Sequence, residues 1–251
     1  MKDAELAARL RANVIAYKQL QTAGSLLRSL ALPGVWAFAM PAHPEAVHHH
    51  RVLYESAQAL ADAHGALEEF FLSHGIRDWH VQVPAGDAEV EQLLARLGHS
   101  PWEVLPAMGI TLDGLVLAPP RLTVERTRTQ EELMPLNTEA FGRGAPSTLY
   151  PWHSQVHPHI HVYLLREGGQ VLSGGLAHDL GDTTGIYMMA TAASARRRGL
   201  AAEVLRALLL DARDRGQRAA VLQATELGHP LYRHMGFREL EVWNCWVRRA
   251  G

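Results

Sequence analysis

The sequence predicts an α/β (α+β) protein of two domains. Three observations lead there. Short apolar runs that read as strands alternate with stretches of helical periodicity. The turn pairs Gly168-Gly169 and Gly181-Asp182 separate strand-like runs. The run Ala118-Pro119-Pro120 breaks the chain near its middle, because two prolines continue neither a helix nor a central strand. The expected domains are residues 1–118 and 119–251, each within ordinary domain size.

Composition supports a packed globular chain and excludes several classes. Of 251 residues, 47% are hydrophobic and 20% charged, as in ordinary globular proteins. The formal net charge is −2, so no basic excess points to nucleic acid or to an anionic membrane. Cys245 stands alone, which rules out an internal disulfide and a cysteine-only zinc site. The first twenty residues are charged and lack the long apolar core of a signal peptide. No run of about 18 apolar residues exists to span a membrane. The expected location is the cytoplasm.

In the first part, a helix is expected over Ala4 to Leu30, broken near Gly24, and a strand over Val35 to Ala39. Val52 to Ser73 reads as helix and Trp79 to Val83 as strand. Asp87 suits the N-cap of a helix to Leu97, and Val104 to Leu112 reads as a last strand.

The second part is clearer. Leu122 to Thr127 reads as a strand, and Thr129-Gln130-Glu131-Glu132 has the spacing of a capping box before a helix to Phe141. Gly142 to Ser154 reads as a loop or short helix. Two strands, His159 to Arg166 and Gln170 to His178, flank a Glu167-Gly168-Gly169 turn, and Gly185 to Thr191 follows as a third. Ala201, Val204, Leu205, Leu208 and Ala212 repeat at helical spacing, so Leu200 to Arg215 is a long helix with Gly216 at its C-cap. Ala219 to Ala224 is a strand, His229 to Met235 a short helix, and Phe237 to Val247 a closing strand.

The halves parallel one another in element order. Strand, helix, Leu97-Gly98-His99, strand corresponds to strand, helix, Met235-Gly236-Phe237, strand, and alignment on the glycines puts Leu94 opposite Tyr232.

Chemistry concentrates between Gly185 and Phe237. A strand ends at Thr191, a loop Ala192 to Ala195 follows, and Arg196, Arg197, Arg198, Gly199, Leu200 and Ala201 open a helix. The unpaired N–H groups and dipole of a helix start favour an anion. Gly199 and Ala201 let the backbone approach it, and arginines add forked donors. Taken alone, such a run also reads as a solvated basic loop, and Tyr232 as a packing residue. Neither the Walker nor the Rossmann glycine pattern is present. The run matches Arg/Gln-x-x-Gly-x-Gly/Ala, and Leu231-Tyr232-Arg233-His234-Met235-Gly236-Phe237 matches Leu-Tyr-x-x-x-Gly-Phe downstream. Together they resemble the GNAT superfamily of acyl-CoA N-acetyltransferases.

That resemblance covers residues 122 to 250 in element order and implies much. The fold would be a mixed, mostly antiparallel sheet flanked by helices, in two tandem GNAT-like domains with the first degenerate. The activity would be direct transfer of an acetyl group from acetyl-CoA to a primary amine of a small molecule or peptide, without nucleic acid, membrane or metal. Met189, Ala190 and Thr191 would offer the strand edge that holds the pantetheine arm. Arg196, Arg197, Arg198, Gly199, Leu200 and Ala201 would bind the pyrophosphate. Tyr232 would give a proton to the departing sulfur, and Thr225 stands where the family often has Asn. The usual loop proline is replaced by Ala193.

The base is open among His178, Tyr187 and Glu226. No glutamate occupies Gly185 to Met189, and His178 leads because imidazole titrates near neutrality. His153, His157, His159 and His161 form a second cluster, the last three on one strand face, able in principle to hold a metal or line the acceptor cleft. In the first half, Asp62-Ala63-His64-Gly65-Ala66-Leu67 is the nearest analogue of the signature, with Asp62 where an arginine belongs. The alternative for that half is an unrelated α/β cap over the acceptor cleft. Two other functions compete: a non-catalytic acyl-CoA-binding regulatory or sensor protein, and a histidine-ligated metal protein.

Overall fold

The computed structural model describes residues 1–22, 27–141 and 154–249. In chain order the elements are α1 (Asp3–Thr22), β1 (Arg28–Leu32), β2 (Val35–Ala39), β3 (Arg51–Tyr54), α2 (Ala57–Ser73), β4 (Trp79–Pro84), α3 (Ala88–Arg96) and β5 (His99–Thr111). Then come β6 (Glu125–Thr127), α4 (Leu133–Phe141), β7 (Ile160–Glu167), β8 (Gln170–Leu180), β9 (Thr183–Thr191), α5 (Leu200–Asp214), β10 (Ala219–Gln223), α6 (His229–His234) and β11 (Arg238–Arg248).

These elements make two compact units, each discontinuous in sequence. The larger holds residues 1–17, 106–141 and 154–240; the smaller holds 18–22, 27–105 and 241–249. In the larger unit the strands run β5-β10-β9-β8-β7-β6. Antiparallel pairs join β5 to β10 and successive strands from β9 back to β6, while β10 and β9 are parallel. The smaller unit runs β1-β2-β3-β4-β11-β5, with β1–β2, β2–β3 and β4–β11 antiparallel and β3–β4 parallel. The sheet is therefore mixed and mostly antiparallel, flanked by helices. In each unit one parallel pair is joined by a long helix, α2 for β3 and β4, α5 for β9 and β10.

Helix α5 shows how patterning sets the core. Leu200, Val204, Leu205, Leu208, Leu209 and Ala212 are all buried, a single apolar face laid on the sheet. Gly216 ends it in the left-handed region (φ 90°), with its N–H donating to Arg213 O and that of Gln217 to Ala212 O. A charge network ties this end to the sheet. Arg215 donates to both carboxylate oxygens of Asp179 (2.9 and 3.1 Å), to Tyr163 Oη (2.9 Å) and to Asp211, and Tyr163 also donates to Asp211. The core of the smaller unit gathers Val35, Val52, Leu60, Leu67, Phe71 and Val81.

Several expected elements shift. The first helix ends at Thr22, and Arg28–Leu32 is a strand whose Leu30 and Leu32 pack on the smaller core. Gly24 lies outside the described residues. Val52 to Tyr54, expected as helix, is strand β3; its consecutive apolar residues carry no period that separates the two states. Ser56 then starts α2 by accepting from Ala59 N. Helix α4 begins at Leu133 rather than at the capping-box spacing, because the carbonyl of Gln130 accepts from Leu133 N and Met134 N. The expected loop or helix at Gly142 to Ser154 lies outside the described residues except for Ser154. Asp87 caps α3 as expected, accepting from Val90 N.

Candidate active site

The site begins where β9 leaves its parallel partner. The β9–β10 ladder pairs Thr183 with Ala219, Thr184 with Ala220 and Gly185 with Val221, and goes no further. Strand β9 continues to Thr191, still paired with β8 on its other side. Its β10-facing backbone beyond Gly185 is thus an unladdered edge, and that stretch includes Met189, Ala190 and Thr191. The β8–β9 register also slips between Gly174 and Leu176, which face Ala190 and Tyr187. The extra residue makes a bulge. Met188 sits there at φ 56°, its carbonyl accepting from Asn137 Nδ2 at 3.0 Å. Gly174 and Gly175 make room opposite. A Cβ on Gly174 would meet Leu133 Cδ1 at 2.8 Å, and one on Gly175 would collide with the sulfur of Met189.

The turn into α5 is equally unusual. Arg197 has φ 63° and Gly199, the residue before the helix, φ 79°. Met188 and Arg197 are the two non-glycine residues with positive φ among those described. Such strain persists where the surrounding structure imposes it, and it gathers at ligand sites. Gly199 O accepts from Ala202 N and Glu203 N, but no side chain caps the helix. The backbone N–H groups of Gly199, Leu200 and Ala201 make no hydrogen bond among the described residues. A Cβ on Gly199 would meet open space. The three arginines are exposed; Arg196 Nε donates to Thr191 O at 3.3 Å and Arg198 pairs with Glu167.

Tyr232 lies on α6, buried, its ring edge-on to Phe237 with centroids 5.8 Å apart. Its hydroxyl bonds to no described residue, and burial pushes the phenol above its ordinary pKa. Thr225 Oγ1 accepts from Gly228 N at 3.2 Å and so shapes the turn into α6. His178 is buried on β8, its Nδ1 3.1 Å from Asn13 Oδ1, and burial holds its pKa down to about 4. Tyr187 donates to the same oxygen at 2.8 Å and stacks on Tyr17 with centroids 4.1 Å apart. Glu226 is exposed.

The model of the acetyltransferase (GNAT) family matches residues 126–237. Residues 126–237 form a GNAT acetyltransferase domain. Comparison with curated proteins gives no match. Among solved structures, a GCN5-related N-acetyltransferase from Kribbella flavida is similar at TM-score 0.68 and 17% identity, covering 96% of each chain. One from Sphaerobacter thermophilus has TM-score 0.65 and 18% identity over 87% of this chain and 82% of that one. A tandem GNAT protein from the clavulanic acid biosynthesis pathway has TM-score 0.58 and 12% identity over 97% and 96%. At these identities the likeness is one of fold.

Around the GNAT domain's site, other expectations are altered. His157 and His159 precede β7, so they do not share a strand face with His161. His161 instead joins the charge network, with Arg126 donating to its Nδ1 (2.9 Å) and its Nε2–H donating to Asp179 (3.1 Å). His153 lies outside the described residues, and no group of three or more metal-ligating side chains occurs among those described. In the first half, Asp62 to Leu67 falls inside α2, not at its start. The junction that corresponds to the cradle is Glu55-Ser56, where Ser56 satisfies the helix itself. Among the described residues no helix is long and apolar enough to cross a membrane.

Sequence reasoning missed the bulge at Met188 and the part played by Asn13. Signals for both are present: a glycine pair within a strand, Gly174-Gly175, and a polar residue on the apolar stripe Leu6, Leu10, Val14, Tyr17 of α1.

Proposed function

We propose that the GNAT domain transfers an acetyl group from acetyl-CoA directly to a primary amine of a small molecule or peptide, in the cytoplasm. One observation carries this reading. The backbone N–H donors of Gly199, Leu200 and Ala201 open α5 without partners among the described residues, beside an unladdered strand edge, and the strained Met188 and Arg197 flank that edge. Donors left unsatisfied in a folded protein are costly unless solvent or a ligand takes them. A pyrophosphate suits them in charge.

Arg196, Arg197, Arg198, Gly199, Leu200 and Ala201 would hold that pyrophosphate. Backbone groups of Met189, Ala190 and Thr191 would pair with the amides of the pantetheine arm as a strand would, and Thr225 would flank it. Bound acetyl-CoA supplies an acyl group already activated as a thioester. The amine nitrogen forms the new C–N bond as the C–S bond breaks. His178 stays neutral at pH 7 and accepts the proton released from nitrogen at Nε2. Tyr232, kept protonated by its burial, gives its proton to the sulfur.

Calorimetry with acetyl-CoA, followed by CoA release with a panel of primary amines, tests this. Expected are one saturable site and turnover with at least one amine. Saturable binding without turnover across a broad panel would favour an acyl-CoA sensor, and absence of binding would remove the reading altogether.

A further inference from the structure

Asn13 is wholly buried (0% exposed) on α1, over 160 residues from the groups it touches. Its Nδ2 lies 3.1 Å from His178 O and 3.5 Å from Thr183 O. Its Oδ1 lies 2.8 Å from Tyr187 Oη and 3.1 Å from His178 Nδ1. This pattern permits one assignment of protons. Two backbone carbonyls cannot donate, so the amide nitrogen faces them and the amide oxygen faces the side chains. An amide oxygen cannot donate either, so both Tyr187 O–H and His178 Nδ1–H point at it. With Nδ1 protonated, neutral His178 carries its lone pair on Nε2. That atom bonds to no described residue.

We propose that Asn13 is a positioning residue for proton transfer: it locks His178 in the Nδ1–H tautomer and so presents Nε2 as the acceptor. The proposal rests on the acetyl-transfer reading for its catalytic meaning. Gly185 completes the device. A Cβ there would come within 2.7 Å of Asn13 Cγ and still closer to its oxygen, so a side chain on β9 would evict the amide. The charged and titratable groups around His178 are Asp179 beside it, His161 on β7, His159 just before β7, and Tyr17 and Tyr187. Asp179 is engaged by Arg215 and His161, which leaves Asn13 as the partner of the ring nitrogen.

The tautomer is read directly from two-bond proton–nitrogen correlation spectra of protein carrying nitrogen-labelled histidine. The His178 signals are identified by their loss in His178→Gln. In the unaltered protein Nδ1 should be pyrrole-like and Nε2 pyridine-like; the reverse pattern overturns the proposal. Asn13→Asp keeps both accepting bonds and adds a negative charge, so the His178 titration midpoint should rise by about one unit or more. Gly185→Ala should mix the two tautomers. Signals unmoved in both variants, each with native melting, would also overturn it. With an amine identified, the acidic limb of kcat/KM should follow the spectroscopic midpoint in Asn13→Asp. A midpoint that moves while the limb stays would show that His178 is not the acceptor, and would end the catalytic role of Asn13 while sparing CoA binding.

Discussion

Replacing Tyr232 with phenylalanine removes one oxygen and keeps the ring. The ring packs edge-on against Phe237 and closes on Gly228, where an added Cβ would lie 3.0 Å from Tyr232 Cε2. Those contacts survive. The hydroxyl makes no hydrogen bond to a described residue, so its loss breaks none, and stability should change by less than about 1 kcal/mol. Affinity for acetyl-CoA should hold, since the cradle lies at the start of α5. The rate should not. A positioned acid is worth about 100- to 10,000-fold, or about 2.7 to 5.4 kcal/mol of barrier. Because a thiolate leaves fairly well unaided, about tenfold is the lower bound. Burial also holds the phenol above its ordinary pKa of about 10, so Tyr232 should impose no loss of rate on going from pH 7 to 9. The assay is CoA release at saturating acetyl-CoA, with single-turnover measurement to isolate chemistry. A Tyr232→Phe protein that runs at full rate with chemistry limiting would refute the acid role and leave the CoA site standing.

Gly199→Glu should abolish acetyl-CoA binding in calorimetry, because it places a negative side chain in the open space above the cradle at a backbone angle of 79°; unchanged affinity in a variant with native circular dichroism would move the cradle elsewhere. One acetyl-CoA should bind per chain, since Ser56 satisfies the comparable junction at the start of α2, and native mass spectrometry showing two would contradict this. Stability should fall as pH drops from about 6.5 to about 4. His178 and His99 are held near 4 by burial, while the unfolded chain takes up their protons from about 6.5 downward. The full effect is about 3 kcal/mol for each, present above pH 6.5 and gone at pH 4; a melting temperature flat over that window would count against it.

Legibility in the sequence followed locality. The limits of β2, the Gly168-Gly169 hairpin and the start of α5 at Leu200 were readable because short-range patterns determine them. Strand β3 was not, because Arg51-Val52-Leu53-Tyr54 is buried by neighbours distant in sequence. The cradle's residue types were readable, but not the left-handed Arg197 or the bulge at Met188, since both depend on how the sheet parts. Asn13 looked like any polar helical residue. Its meaning lies in two strands more than 160 positions away.

The division of strands between units bears on the order in which the molecule can fold. The larger unit draws on residues 1–17, 106–141 and 154–240, and the smaller needs 241–249 to seat β11 beside β4. A ribosome delivers these pieces at opposite ends of synthesis. Nascent β4 therefore waits with one edge bare until nearly the whole chain has emerged, and β10, made late, must find β5, made long before. Such distant pairings are slow and expose strand edges meanwhile. Expression of residues 119–251 alone should give a strand-deficient, aggregation-prone product that also lacks β5 and Asn13.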